Sequence, residues 1–400
     1  MSRAPRRAVK PAMVAAPPVP RSAAEIIKSR NAAVFVDVSA LMETSWTGIA
    51  NVTANLAREL VRKLPNNCYF FARGVVIDPV ALLTAIDNAP GAYLEVLLAN
   101  GYAQLGAIGD FIGLAPVSVG IFPNIKTAHR VFDVEAVVLH DLSAMLMPEL
   151  HQDWAAHEHS RAMLRDVHSS EVVCCVSAAT QADALAYLGL DPKNAIVSHL
   201  GVRPPPAAQE LPRENFAIVL GTIEPRKNLR LVAEFMLSRP DLARKIAMVF
   251  VGRRGWGPAF DEVFGELLTN SPWKDSICFT DFIGEAEKWA LMRSARFAIF
   301  PSLFEGFGLP VVECMAAGCP VIASRSSSIV EFGLPEPMYF DPFSLTDFTR
   351  AFRHIETMPA PAHAALAESL RVRAGEFTWD AFCGRLLNAV AARLPAASGS

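Results

Sequence analysis

The chain has 400 residues, more than one ordinary hydrophobic core accommodates, so two domains are expected. Hydrophobic residues make up 52% of it and charged residues 19%, yet no apolar run reaches the ~18 residues of a membrane-spanning helix. The net charge of −3 combines seven basic residues against Glu25 alone in the first 30 residues with an acidic remainder, which does not suit nucleic-acid binding.

Residues 1–30 are rich in proline and alanine and lack the continuous apolar core of a secretory signal. They are predicted to be a disordered basic tail, and a basic arm that touches anionic lipid is the alternative. The seven cysteines form no CxxC pair, and Cys174 and Cys175 lie inside an apolar run. Buried thiols fit a reducing compartment. A cytoplasmic location is therefore expected, compatible with the inner face of the plasma membrane and with peripheral membrane contact.

From Ala32 onward, short apolar runs alternate with amphipathic stretches, a pattern typical of a parallel sheet with helices on both faces. In the first half, this alternation predicts strands and helices in turn. The strands are residues 33–38, 68–72, 118–122, 136–139 and 171–176, and the helices are residues 48–63, 153–168 and 178–188.

Residues 199–215 interrupt this alternation with prolines and polar side chains, which indicates an interdomain linker. We therefore predict an α/β protein with two doubly wound domains, residues 31–204 and 205–379, and a ligand cleft beyond the carboxyl ends of their strands. Residues 380–400 are predicted to hold a last helix, capped by Asp380 and able to pack back on the first domain, and a tail. In the second domain a helix begins at Leu229, and strands are predicted at residues 216–221, 247–251, 277–280, 297–301 and 320–323.

The most informative segment is a glycine-bearing turn between an apolar run and a helix. Glu305 lies in the turn and Glu313 in the helix, eight positions apart. Gly306 and Gly308 lack a β-carbon where a ligand would approach the backbone closely. Pro310 suits the first turn of a helix, whose free amides and positive dipole end favour a phosphate. The segment is interpreted as half of a sugar-nucleotide site.

A second cluster, GTIEPRKN at residues 221–228, lies directly between a predicted strand and a predicted helix. Arg226 and Lys227 are adjacent cations in this loop, and Asn228 is placed as the cap of the helix. Two cations and helix amides can neutralise a departing pyrophosphate without a metal. A solvated basic turn is the alternative interpretation.

These segments resemble a known family. LGTIEPRKNL, FTDFIGEAE and FEGFGLPVVECMAAGCPVIAS resemble the donor-binding half of retaining glycosyltransferases of the GT-B fold, family 4, whose E-x7-E signature corresponds to Glu305 and Glu313. VDVSAL, TGIANVTANLARELVRKL and VVLHDLSAMLMPELH resemble the acceptor-side half more loosely. The resemblance covers roughly residues 33–385 and implies two Rossmann-like domains that face a cleft.

The resemblance also implies roles for individual residues. Glu313 is expected to hold the ribose hydroxyls and Glu305 to lie near the donor sugar. Arg226 and Lys227 are expected to bind the diphosphate, and His140 to touch the sugar or the acceptor. We take His140, Arg226, Lys227 and Glu305 as catalytic candidates. The further donor-binding candidates are Gly48, Phe282, Ile283, Gly306, Phe307, Gly308, Leu309 and Glu313.

The reaction implied by the resemblance moves a hexosyl group from a nucleoside-diphosphate sugar to a glycan acceptor, without metal or cofactor. A resemblance to the EPRKN subgroup favours mannose from GDP-mannose. The basic leader and apolar composition are compatible with a lipid-linked oligosaccharide acceptor, as in surface-polysaccharide assembly. Thr222 and His199 depart from the more usual arginine and asparagine of the family.

Other functions remain open at this point. The same fold serves sugar-nucleotide epimerases and phosphorylases, and a non-catalytic nucleotide-binding paralogue is a third option. An oxidoreductase is disfavoured because no G-x-G-x-x-G follows the first strand. A metal site at His157 and His159 is disfavoured because these positions point ~200° apart on a helix. Glu331 is interpreted only as an acidic residue near a helix start capped by Ser327 or Ser328.

Overall fold

The computed structural model of the protein describes residues 22–43, 46, 48–88, 104–205, 211–253, 260–269 and 276–396. Two sheets, each flanked by helices, are built from its first and second halves. The centre of the predicted linker, residues 206–210, lies outside the described residues, as do residues 1–21 of the predicted tail.

The first sheet has eight strands in the order β4-β3-β2-β1-β5-β6-β7-β8. All neighbouring strands run parallel except β3, which is antiparallel to both β2 and β4. The central strands are buried over their whole length, as expected for a parallel sheet covered on both faces. The strands are β1 Ala32–Asp37, β2 Cys68–Ala72, β3 Val75–Ile77, β4 Gln104–Ala107, β5 Val117–Phe122, β6 Val134–Leu139, β7 Val172–Cys175 and β8 Ala195–Val197.

The helices of the first half follow amphipathic patterns. In α2, Val52, Leu56 and Leu60 recur every four residues and are buried against the sheet. The helices are α1 Ala23–Ser29, α2 Gly48–Lys63, α3 Pro79–Asn88, α4 Ile108–Ile112, α5 Ser143–Leu146, α6 Asp153–His168 and α7 Ala178–Tyr187.

The second sheet is parallel throughout, in the order β11-β10-β9-β12-β13-β14. Its strands are β9 Phe216–Leu220, β10 Ala247–Val251, β11 Ile277–Phe279, β12 Phe297–Phe300, β13 Val321–Ser324 and β14 Tyr339–Phe340. Its helices are α8 Leu229–Ser238, α9 Pro240–Ala243, α10 Phe260–Thr269, α11 Glu285–Ser294, α12 Leu309–Ala316, α13 Leu345–Glu356 and α14 Ala360–Ala374. The doubly wound α/β prediction is confirmed for both halves.

Two predictions for the chain ends are wrong. Residues 22–30, assigned to a disordered tail, contain α1, which begins with a capping box between Ser22 and Glu25 and buries Ile27. The last helix, α15 (Trp379–Ala391), is capped by the hydroxyl of Thr378 and not by Asp380. Helix α15 packs against α1 and α2, so the C-terminal end of the chain returns to the first domain.

The cleft lies where strand order reverses in both sheets, on either side of β1 in the first and of β9 in the second. The loops after these strands and their neighbours face one another there, which is the expected ligand position in open parallel sheets. Among the described residues, no helix combines the length and apolar character needed to cross a membrane.

Candidate active site

The cleft between the two domains has a volume of about 1070 Å³ and is lined by residues of both. Nearly all of the predicted site residues reach it; Gly306 alone does not. Those that line the cleft are Gly48, His140, Arg226, Lys227, Phe282, Ile283, Glu305, Phe307, Gly308, Leu309 and Glu313.

Glu305 is the centre of a buried ionic cluster on the C-terminal wall. Its Oε2 accepts from Nη1 of Arg226 at 3.0 Å, and its Oε1 accepts from Nζ of Lys227 at 2.7 Å. The Ser302 hydroxyl also donates to Oε1, at 2.7 Å. Arg226 further donates to Glu224, at 2.8 Å, a carboxylate that the sequence did not single out. The two predicted motifs therefore meet in one cluster.

The cluster fixes the charge state of its members. Burial raises the pKa of Glu305, but the nearby charges of Lys227 and Arg226 outweigh it and lower this pKa to about 2. Burial lowers the pKa of Arg226, but the negative charges of Glu305, Asp141 and Glu224 outweigh burial. The pKa of Arg226 is therefore raised above its usual value. Glu305 is thus an anion and Arg226 a cation at any physiological pH. A carboxylate held in this way does not serve as a general acid.

The backbone explains why these side chains converge. Asn228 has the left-handed conformation (φ 52°), and its side-chain amide donates to the carbonyls of Pro301 and Pro342 at 3.1 and 2.9 Å. Asn228 occupies the N-cap position of α8, as predicted, but its side chain ties the loop to the end of β12 instead of capping the helix. The amide of Leu303 donates to the carbonyl of Arg226 at 2.9 Å, which joins the two loops directly.

Unused donors remain in this cluster. The Nε of Arg226 is buried and has no hydrogen-bond partner among the described residues. Lys227 has three N–H donors, and the only hydrogen bond described for its Nζ goes to Glu305. Helix α12 begins after Gly308 (φ 94°) without a side-chain cap. A phosphate is the kind of group that satisfies such donors at a helix N-terminus.

Glu313 is held by a residue that sequence reasoning missed. Lys288, on α11, donates to both of its carboxylate oxygens, at 3.1 and 3.2 Å, and also contacts Glu285 at 2.8 Å. Burial raises the pKa of Glu313, and Lys288 opposes this rise. Nothing in the local sequence links positions 288 and 313, because the contact arises from the packing of two separate helices.

The N-terminal wall presents His140 at the carboxyl end of β6, as predicted. Its Nε2 lies 2.7 Å from the carbonyl of Pro123, an acceptor, so Nε2 carries the proton. Burial lowers the pKa of His140, which keeps the ring neutral at pH 7 with Nδ1 as an acceptor. His151 contacts the Ser143 hydroxyl at 3.0 Å, and that hydroxyl donates to Asp141 at 2.6 Å.

The two walls differ in charge. The described residues of the N-terminal domain that line the cleft include carboxylates and histidines, and their one arginine, Arg203, pairs with Glu59 at 3.1 Å. The C-terminal wall carries Arg226, Lys227, Arg253 and Lys288. An anionic ligand group is therefore favoured on the C-terminal wall.

At Gly306 the structure differs from the sequence interpretation, because this glycine packs on the other domain. A β-carbon at this position would lie 2.0 Å from the carbonyl oxygen of His140 and 2.7 Å from the Cβ of Asp141. The space reserved for a ligand is occupied by the backbone of the other domain. The neighbouring Phe307 ring is buried and packs 5.9 Å from the rings of His199 and Phe377, so only the backbone of Phe307 is suited to a ligand.

The remaining donor-binding candidates form the open end of the cleft. Phe282 is 65% exposed, and Ile283 follows it before α11 begins. A β-carbon at Gly48 would have no heavy atom within 4 Å, so the start of α2 leaves open space. Among the described residues, no group of three or more histidine, cysteine or acidic side chains is placed to hold a metal ion.

Comparison with known proteins agrees with this geometry. Residues 206–370 match the family model for glycosyl transferases group 1. O-antigen chain mannosyltransferase B of Escherichia coli is 24% identical over 280 residues, which cover 67% of this chain and 72% of that protein. The crystal structure of Anabaena Alr3699/HepE in complex with UDP-glucose superposes with a TM-score of 0.61 at 15% identity, over 91% of this chain and 100% of that one. The chain is a GT-B glycosyltransferase.

In this GT-B glycosyltransferase, the family match spans the whole C-terminal wall, from the Arg226 loop to Glu313. The serotype-specific mannosyltransferase WbdA of E. coli is 28% identical over 167 residues, 42% of this chain. The matched segment of this chain covers 20% of WbdA, about a fifth of that relative's length.

Proposed function

We propose that this glycosyltransferase moves a mannosyl group, with retention of configuration, from a nucleoside-diphosphate mannose to a hydroxyl of a glycan acceptor in surface-polysaccharide assembly. One observation carries the proposal: Arg226 and Lys227 converge on Glu305 beside the free N-terminus of α12, inside the interdomain cleft. The names of both mannosyltransferase relatives support the sugar, and that of O-antigen chain mannosyltransferase B supports the process. GDP-mannose is the proposed donor and a lipid-linked glycan the proposed acceptor.

In the proposed reaction, the bond from the anomeric carbon to the diphosphate oxygen breaks, and a bond to the acceptor oxygen forms on the same face. The acceptor proton passes to the departing diphosphate. Arg226, Lys227 and the α12 amides stabilise the negative charge that develops on this leaving group. Arg226 and Lys227 keep N–H donors that no described residue accepts from, which supports this role. The negative charge of Glu305 balances part of the positive charge of the two side chains.

The N-terminal wall is the proposed acceptor side. Its carboxylates, Asp141 among them, can accept hydrogen bonds from neutral sugar hydroxyls and would repel an anionic acceptor. The neutral His140, with Nδ1 as an acceptor, suits a hydroxyl of the donor sugar or of the acceptor. These properties favour a neutral glycan end as the acceptor.

A thermal-shift panel of GDP-, UDP- and dTDP-sugars tests the donor, because a bound donor raises the midpoint of thermal unfolding more the more tightly it binds. GDP-mannose is expected to give the largest shift and to support transfer to a mannosylated lipid-linked glycan. Lys227→Ala is expected to lower kcat/KM by about 10²–10³-fold, whereas Lys193→Met, on the surface of the first domain, is not. Unchanged transfer by Lys227→Ala removes the proposed role, and epimerised donor in the absence of acceptor points to another reaction.

A further inference from the structure

Glu331 lies between the two domains and not at a helix start of its own domain. Its Oε2 accepts from the amide of Ala178 at 3.0 Å, and its Oε1 accepts from the amide of Ala179 at 2.9 Å. These are the first two amides of α7 in the N-terminal domain. His199, at the end of the same domain, contacts Oε2 at 2.7 Å. One carboxylate of the C-terminal domain therefore contacts three polar groups of the N-terminal domain.

These contacts match the needs of α7. The first amides of a helix have no partner within the helix, and its N-terminus favours negative charge. The hydroxyl of Ser177 accepts from the amide of Thr180 at 3.0 Å, which leaves the amides of Ala178 and Ala179 for Glu331. Burial raises the pKa of Glu331, but hydrogen bonds from His199 and from the two amides outweigh it and lower this pKa below its usual value. Glu331 is thus ionised as it holds α7.

The short 3-10 helix that carries Glu331, Ser327–Phe332, also supports the catalytic turn. The hydroxyl of Ser327 donates to the carbonyl of Glu305 at 2.7 Å. The hydroxyl of Ser328 lies 2.8 Å from the same carbonyl and 2.9 Å from that of Phe307. Neither serine caps the helix, contrary to the sequence interpretation. The first residues of this segment therefore hydrogen-bond to the Glu305 turn, and Glu331, near its end, hydrogen-bonds to the N-terminal domain.

The two walls also touch directly at this point. The hydroxyl of Thr180 lies 3.2 Å from the carbonyls of both His140 and Gly306, one from each domain. Gly306 packs so closely on His140 that no β-carbon fits between them. His140 and the Glu305 turn are consequently set against each other by α7 on one side and by residues 327–332 on the other.

We infer that Glu331 is a positioning residue that couples the two walls of the cleft, holding α7 so that His140 stays in contact with the Glu305 turn. It acts through the domain arrangement and touches no reacting atom. The inference rests on the proposed function only where transfer is measured, because the domain arrangement can be measured without any substrate.

Glu331→Gln tests this role with little change in volume. The amide of glutamine can accept from one helix N–H but presents its own N–H groups to the other, so the clamp on α7 is weakened. We expect kcat for transfer to fall at least tenfold, with the KM for the donor within about threefold, since the donor-binding residues stay in place. Small-angle X-ray scattering is expected to give a larger radius of gyration than for the wild type.

Two further variants complete the experiment. Gly306→Ala leaves every charge in place but forces the two backbones apart, and should increase the radius of gyration and lower kcat in the same way. Glu336→Gln removes a carboxylate that is 78% exposed and pairs with Arg325 within the same domain, and it should change neither quantity. Wild-type scattering and kcat in Glu331→Gln would overturn the inference. So would equal losses of kcat and donor affinity with unchanged scattering, which indicate a local defect in the donor site.

Discussion

The two walls of the cleft are built differently. On the C-terminal wall, Glu305, Arg226 and Lys227 hold one another in a buried ionic cluster, so their geometry is set before any ligand arrives. On the N-terminal wall, the ring of His140 is held by a hydrogen bond to a backbone carbonyl, and the backbone of His140 contacts the opposite domain. One wall is therefore organised by contacts within its own domain, while the other depends on how the two domains meet.

Glu305→Gln is expected to have the largest effect, because it removes the centre of the pre-organised wall. Lys227 then loses its buried counter-charge and Arg226 loses one of two, since it keeps Glu224, so the free energy of unfolding should fall by about 3 kcal/mol. Transfer should fall at least 10²-fold. Nucleotide diphosphate should bind as tightly as in the wild type or more tightly, since two cations are released for it. Denaturant titration and calorimetry measure the two effects, and a parallel loss of diphosphate binding would contradict this account.

His140→Ala tests the dependent wall and should lower kcat by about 10²-fold, within the range of a lost acid–base or hydroxyl-binding group. Affinity for the nucleotide diphosphate should be unchanged, because its proposed contacts lie on the other domain. If diphosphate affinity falls as much as kcat, the separation of roles between the walls is wrong.

The same variant tests the charge state of His140. Burial lowers its pKa in the folded protein, so the unfolded chain binds more protons between that value and the unperturbed pKa of ~6.5. The contribution of the neutral His140 to stability is therefore fully present above pH ~6.5 and is lost as the pH falls through the lowered pKa. His140→Ala should lose less stability than the wild type between pH 7 and pH 5, as followed by denaturant titration at each pH.

The sequence predicted the two walls unequally, for a physical reason. The Arg226–Lys227 loop and the Glu305–Glu313 turn are short local patterns at the ends of strands, and parallel strands bring such ends together. The contacts of Lys288 with Glu313 and of Glu331 with α7 join distant segments, and no local pattern reveals them.

The smaller elements that the sequence analysis did not predict differ in the signal that they leave in the sequence. Helix α1 begins with Ser22 and Glu25 at capping-box spacing, a pattern hidden by the basic composition around it. Strands β3 and β4 are three and four residues long and too short for a periodic signal. At Gly306 the glycine allows close packing of the two domains, a reason for glycine in a cleft turn that the sequence cannot distinguish from close approach of a ligand.

Lys288→Met should have a smaller, pH-dependent effect within the pre-organised wall. Burial already raises the pKa of Glu313, and loss of Lys288 should raise it further. In the role that the family resemblance implies, Glu313 is ionised and accepts from two ribose hydroxyls. Its protonated fraction increases as the pH falls. We expect the KM for the donor to rise severalfold at pH 6 and less at pH 8, because more of Glu313 is protonated at the lower pH. A rise of equal size at both pH values would mean that Lys288 contacts the donor itself.

The smallest effect is expected at α15, which returns to the first domain and helps to fix the dependent wall. The hydroxyl of Thr378 accepts from the amide of Ala381 at 3.1 Å, whereas Asp380 is 62% exposed and pairs with Arg62 and Lys63. Thr378→Ala should therefore lower the free energy of unfolding by about 1 kcal/mol, and Asp380→Asn by no more than about 0.5 kcal/mol. The reverse order in denaturant titration would restore Asp380 as the cap. Because α15 packs on α1, α2 and β7 of the first domain, Thr378→Ala should leave nucleotide affinity unchanged.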